Sequence, residues 1–263
     1  MRRALPAVAV AALLALTACA GSTPSDAAAP SSRDGELTGP LTVFAAASLT
    51  DVFTELGDQL QADNPGLQIT FNFAGSSALA TQITQGAPAD VFASANQSQM
   101  TVVTDAGANA EDPTVFAENV LEIAVPPGNP GGITGLADFG DPDRTLAVCA
   151  PDVPCGAAAE QVFAAAGIIA RPDTLEQDVR AALTKVELGE VDAALVYASD
   201  VQAAGDGVKG IPFPQAEEAV NEYPICTLRG AADPRAAQAF LDLVTSDAGQ
   251  RALVAAGFRS PSS

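Results

Sequence analysis

The chain has 263 residues, 48% of them hydrophobic and 17% charged, with a formal net charge of −20. Such a composition fits a packed globular protein of one large or two modest domains and disfavours a nucleic-acid partner, which would want a basic stripe. There is no histidine, which excludes Ser–His and Cys–His nucleophile schemes and the usual zinc sites.

Residues 1–18 read as a signal peptide. Arg2 and Arg3 open it, and the apolar run over 4–16 is short for a membrane span. "LTAC", residues 16–19, places a cysteine directly after that run. The expectation is a lipoprotein signal, with cleavage before Cys19 and a lipid on it, rather than an ordinary cut near an Ala-x-Ala site. Residues 19–40, rich in Ser, Pro, Ala and Gly, read as a flexible tether. Loss of residues 1–18 leaves ten basic against 32 acidic residues, a formal −22.

From residue 41 the pattern alternates strand and helix. Strands are expected at 41–45, 67–73, 90–93, 119–127, 145–150, 192–197, 207–213 and 223–228. Helices are expected near 49–62, 77–86, 97–106, 156–167, 176–188, 198–204, 233–245 and 246–256. This alternation implies an α/β fold with mostly parallel sheets and helices on both faces. The long apolar strands at 119–127 and 222–228 are candidate crossings between two lobes. Lobe one would take 41–118 plus 229–263, and lobe two 119–228 with the crossover strands.

In open α/β sheets ligands sit at the carboxyl ends of strands, where helices begin. Five such places stand out. "FAAASLTDVF" puts Ser48 at a helix start, where the plain reading is an N-cap. "FAGSSALATQI" offers Gly75, Ser76 and Ser77. "APDVPCGAAAEQVF" starts a helix at Cys155–Gly156, and "EQDVRAALTKV" has one around Val179. Tyr197 ends the strand "AALVY". Singly, each is ordinary turn chemistry. Together they describe a cage of neutral donors suited to a small, fully ionised oxyanion. Phosphate, partly monoprotonated near neutral pH, wants an acceptor that such a cage lacks.

Three cysteines follow the tether. Cys149 and Cys155 flank a short loop, so a bridge between them is expected, leaving Cys226 free. Pairing of Cys226 with either one is the alternative. Glu217 and Glu218 are the carboxylate pair that an exported hydrolase would need; their polar surroundings read as a solvated face.

"TVFAAASLTDVF", "FNFAGSSALATQI", "GAPADVFASAN", "EQDVRAALTKVELGEVDAALVYASD" and "EYPI", in this order, resemble the substrate-binding lipoproteins of molybdate ABC transporters. The resemblance runs from about residue 41 to 258. It implies a two-lobed periplasmic-binding-protein fold of type II with two inter-lobe crossover strands. It also implies high-affinity binding of molybdate or tungstate, without catalysis or cofactor, and delivery to a membrane permease and its ATPase. By the same resemblance Ser48 and Ser76 bind the oxyanion through hydroxyls, Cys155 and Val179 through backbone amides, and Tyr197 through its phenol, with no protein ligand on the molybdenum itself. A cysteine stands at 155 where the family often has alanine. The implied setting is a monomer anchored by lipid on the outer face of the cell membrane. A sulfate or related oxyanion carrier is the nearest alternative.

Overall fold

The computed structural model describes residues 36–262. The expected signal peptide, the expected lipidation site Cys19 and most of the expected tether lie outside the described residues. The tether gives way before residue 40, because the first strand begins at Thr38.

Two five-stranded sheets organise the chain. The first holds β1 (Thr38–Ala46), β2 (Gly66–Ala74), β3 (Val91–Ala93), β4 (Thr114–Asn119) and β10 (Asn221–Thr227), in the order β2-β1-β3-β10-β4. The second holds β5 (Leu121–Val125), β6 (Leu146–Cys149), β7 (Thr174–Glu176), β8 (Ala193–Tyr197) and β9 (Lys209–Ile211), in the order β7-β6-β8-β5-β9. In each sheet one strand runs against the others. β10 is antiparallel to β3 and β4, and β5 is antiparallel to β8 and β9; the remaining pairs are parallel. Every residue of β8 is buried, which is why its sequence is a continuous apolar run rather than an alternating one.

Helices α1 (Thr50–Asp63), α2 (Ser76–Thr84), α3 (Gln97–Asp105), α7 (Pro234–Thr245) and α8 (Asp247–Ala255) go with the first sheet. Helices α4 (Pro154–Ala166), α5 (Val179–Glu187) and α6 (Ala198–Ala204) go with the second. α1 buries Val52, Phe53 and Leu56, the stripe that its helical spacing announces. Phe53 meets Phe240 of α7 edge to face, with ring centroids 5.3 Å apart. Gly57 lets α1 lie close on β2, since a Cβ there would come within 2.7 Å of the Phe71 ring.

Three expectations change. The strand expected over 119–127 is β5, Leu121–Val125, in the second sheet, and the crossing into it comes from an unexpected strand, β4, which ends at Asn119 in the first sheet. The Asn119 side chain holds the break. Its Oδ1 accepts from the Val120 N–H at 3.0 Å, and its Nδ2 donates to Ser199 Oγ at 2.8 Å. β10, read as a crossing strand of the second lobe, lies wholly in the first sheet between β3 and β4. The return crossing is instead made in residues 212–220, which include a 3₁₀ turn over Pro214–Ala219. The strands at Thr114–Asn119 and Thr174–Glu176 were not expected; the first mixes polar with apolar residues and the second is three residues long.

Cys149 and Cys155 are bridged, as expected from their spacing, and Cys226 is free and buried. Its Sγ sits 3.6 Å from Met100 Sδ, and burial pushes the thiol up to about 12. Glu217 is exposed and paired with Arg259 through two hydrogen bonds, of 2.8 and 2.7 Å, so it is a solvated ion pair, not an acid–base couple.

Candidate functional site

Ser48, Ser76, Cys155, Val179 and Tyr197 all line one small, tightly closed cavity of about 10 Å³ between the two sheets. Ala46, Ala47, Ala74, Gly75, Ala95, Val153, Pro154 and Asp178 complete the wall. Among the described residues, no lysine or arginine lines it.

Local sequence explains each donor. α2 starts at Ser76 after Gly75, with no side-chain cap. α4 starts at Pro154, whose ring has no N–H to lose, after Val153, again with no side-chain cap. α5 starts at Val179 after Asp178, whose carboxylate accepts from the Ala181 N–H at 2.9 Å. Amides in a helix's first turn have no acceptor within the helix. Those of Ser76, Cys155 and Val179 are therefore available at the positive ends of three helices.

Ser48 is not an N-cap. It lies inside a short 3₁₀ turn, Ala47–Leu49, ahead of α1, and no side-chain cap is formed there. Its Oγ shares a 2.9 Å hydrogen bond with the Tyr223 hydroxyl instead. Ser76 Oγ accepts from the Ala95 N–H at 3.0 Å, which leaves its own proton to donate elsewhere. Ser76, not Ser77, is the serine of its pair that faces the cavity.

Tyr197 is fully buried, and among the described residues its hydroxyl makes no hydrogen bond of good geometry, with the Tyr223 hydroxyl its nearest polar neighbour. A buried polar group left unpaired is costly, so this hydroxyl is where a ligand atom is wanted. Burial, and then the neighbouring Tyr223 and Asp200, lift it well above the ordinary phenol value. It therefore stays a neutral donor. The Cys155 side chain is tied back to Cys149, so only its backbone is offered. A Cβ on Gly156 would fall 1.9 Å from the Ala150 carbonyl oxygen, so only glycine lets α4 start this close to the end of β6.

Sequence reasoning did not single out two features. Tyr223 backs the cavity, its ring centroid 6.0 Å from that of Tyr197; the chain has just two tyrosines, and that scarcity was the available signal. Asp200 is buried beneath Tyr197, its Oδ2 accepting from the Tyr197 N–H at 3.0 Å. Burial raises its carboxyl to about 7, against the opposing pull of Arg180 and of that N–H. The halves also touch around the cavity. Gln99 Nε2 donates to the Asp152 carbonyl at 3.3 Å, and Gly75 packs on the Gln177 backbone.

Residues 41–259 match the family described as bacterial extracellular solute-binding protein. The chain belongs to that family. The molybdate-binding protein ModA of Mycobacterium tuberculosis is 43% identical over 246 residues, 94% of this chain and 93% of that protein. Among solved structures, the periplasmic molybdate-binding protein of Azotobacter vinelandii aligns with a TM-score of 0.75 at 20% identity, covering 84% of this chain and all of that one. The sulfate-binding protein SubI of M. tuberculosis aligns at 0.70 with 18% identity over 85% of this chain and 87% of its own. These structural likenesses establish the two-lobed binding-protein fold. The five donors lie between the two lobes of that fold.

Proposed function

We propose that the protein captures molybdate, and by the same chemistry tungstate, outside the cell membrane and delivers it to the permease and ATPase of an ABC importer. The observation that carries this reading is the polarity of the cavity. Its polar lining is built of neutral donors, one of them the buried Tyr197 hydroxyl without a hydrogen bond of good geometry, while its one carboxylate, Asp178, caps its own helix. A tetrahedral dianion offers only acceptors and satisfies them all. The hydroxyls of Ser48, Ser76 and Tyr197 and the amides of Cys155 and Val179 are the proposed contacts, with no protein atom on the metal. The name of the 43% identical mycobacterial relative supports the choice of anion. The two lobes act as jaws of a monomer. No catalytic step and no cofactor belong to this reading.

Thermal denaturation of the mature domain tests it. Ligand at about 100 times its Kd stabilises the native state by about 2.7 kcal/mol. Molybdate and tungstate are expected to raise the melting temperature by several degrees. A rise with sulfate alone would make the protein a sulfate carrier.

The proposed location is the outer face of the membrane, held by lipid on Cys19. Wild type expressed with a labelled fatty acid is expected to take up label, and Cys19→Ala to take up none. Label on the variant, or none on wild type, rejects the anchor.

A further inference from the structure

The cavity has no cation in its wall, yet one arginine stands directly behind it. Arg180 follows Val179 at the start of α5. It is paired with Asp51, in the first turn of α1 and three residues beyond Ser48. Its Nε also lies 3.3 Å from Asp200 Oδ1, and Asp200 in turn holds the Tyr197 N–H. Both of these inner atoms, Arg180 Nε and Asp200 Oδ1, are buried with no hydrogen bond of good geometry. One guanidinium therefore touches the elements that carry three of the five donors: Ser48 by way of Asp51, Val179 by its own backbone, and Tyr197 by way of Asp200.

We infer that Arg180 is a positioning residue of the anion site, a clasp between α1 and α6 that sets the spacing of the donors in the shut protein and slows release of the bound anion. This rests on the molybdate reading above. Asp51 belongs to the first lobe, and Arg180 and Asp200 to the second. The Asp51–Arg180 pair can exist only when the lobes are together, so it acts on opening and not on encounter. Arginine suits the place because its planar fork can face two carboxylates at once, which a lysine ammonium cannot do in fixed geometry. The pair is partly open to water, with the Asp51 side chain 62% exposed. Its expected contribution is accordingly modest, whereas Asp200 is fully buried and depends on Arg180 for its one nearby cation.

Stopped-flow tyrosine fluorescence with molybdate reads the effect directly. The chain has no tryptophan, and its two tyrosines, Tyr197 and Tyr223, both adjoin the site. Asp51→Asn is expected to raise the dissociation rate by up to about fivefold, the range of an exposed ion pair. Arg180→Gln is expected to raise it by tenfold or more, with association within about twofold of wild type. Arg180→Lys should fall between wild type and Arg180→Gln. The double variant should release no faster than Arg180→Gln alone, because the two changes break one contact. Dissociation from Asp51→Asn and Arg180→Gln at the wild-type rate overturns the clasp. Equal changes in association and dissociation also overturn it, because the residue would then be merely structural. If Arg180→Gln does not fold, Asp51→Asn alone decides, since that side chain is at the surface. A wild type that does not respond to molybdate overturns the molybdate reading itself, and that outcome is visible before any variant is made.

Discussion

Gly75→Ala is expected to weaken molybdate binding about a hundredfold while leaving the unliganded protein about as stable as wild type. Gly75 has φ −58° and ψ 134°, a conformation that alanine adopts without strain. Its cost is therefore not local. A Cβ there would lie 2.4 Å from the Gln177 carbonyl oxygen and 3.4 Å from Val153 Cγ1. Gln177 and Val153 precede α5 and α4, on the other side of the cavity. The methyl thus collides only when the lobes are shut. Overpacking a closed contact costs ~1–3 kcal/mol. The upper end applies here, because the atom struck is a backbone carbonyl that cannot rotate away. At ~1.4 kcal/mol per tenfold, that is roughly two orders of magnitude in affinity. Calorimetry with molybdate, beside denaturant unfolding without it, separates the two effects. Wild-type affinity in the variant would mean that the lobes do not need this approach to hold the anion.

The second large effect is selectivity. Molybdate and tungstate are expected to bind tightly, sulfate weakly and phosphate hardly at all. A monoprotonated phosphate must place its own O–H against a wall of donors, and an unpaired buried group of that kind costs ~1–3 kcal/mol or more. The one carboxylate lining the cavity, Asp178, is turned to its own helix, where Oδ1 accepts from the Ala181 N–H. Ser76 Oγ is already accepting from Ala95. Each of these two acceptors already takes a backbone N–H. Sulfate has the right charge but shorter bonds, so some of its hydrogen bonds would be long. Removing one donor, as Ser48→Ala or Ser76→Ala, should cost about 1.5–3 kcal/mol of molybdate binding, the range for hydrogen bonds to a charged group. For Ser48 the change also strips Tyr223 of its recorded hydroxyl partner. Calorimetry with the four anions and both variants is the measurement. Equal affinity for phosphate and molybdate, or variants as tight as wild type, would show that the cavity is not the donor cage described.

Much of this was legible in the chain before its structure. Helices such as α1 and α7 carry their apolar stripe in their own spacing, whereas the helix expected over 176–188 starts only at Val179, after the Asp178 cap and the strand that ends at Glu176. The strand-end turns with Ser48, Ser76, Cys155 and Val179, and Tyr197 at a strand end, are local patterns too. The absence of histidine removed whole classes of chemistry outright. The break between β4 and β5 was not legible, because "TVFAEN" mixes polar with apolar residues and does not read as a strand, and only the Asn119 side chain marks the place. β10 was misplaced for another reason: a run of buried residues says that a strand is interior, not which sheet takes it.

What the sequence determined by itself is therefore what depends on neighbours within a few turns: most of the helices and the longer apolar strands, the supply of neutral donors and the lack of a cation among them. Tertiary structure alone decided that the donors converge. It decided that Ser48 bonds Tyr223, 175 positions away, instead of capping its helix. It set Arg180 against Asp51, 129 positions away, and it made a glycine necessary at 75 by bringing Gln177 onto it. The reason is physical. A cap or an amphipathic stripe follows from backbone geometry, which repeats every few residues. A contact between distant segments is set by how two sheets and their helices fill space together, and no short stretch of chain carries that information.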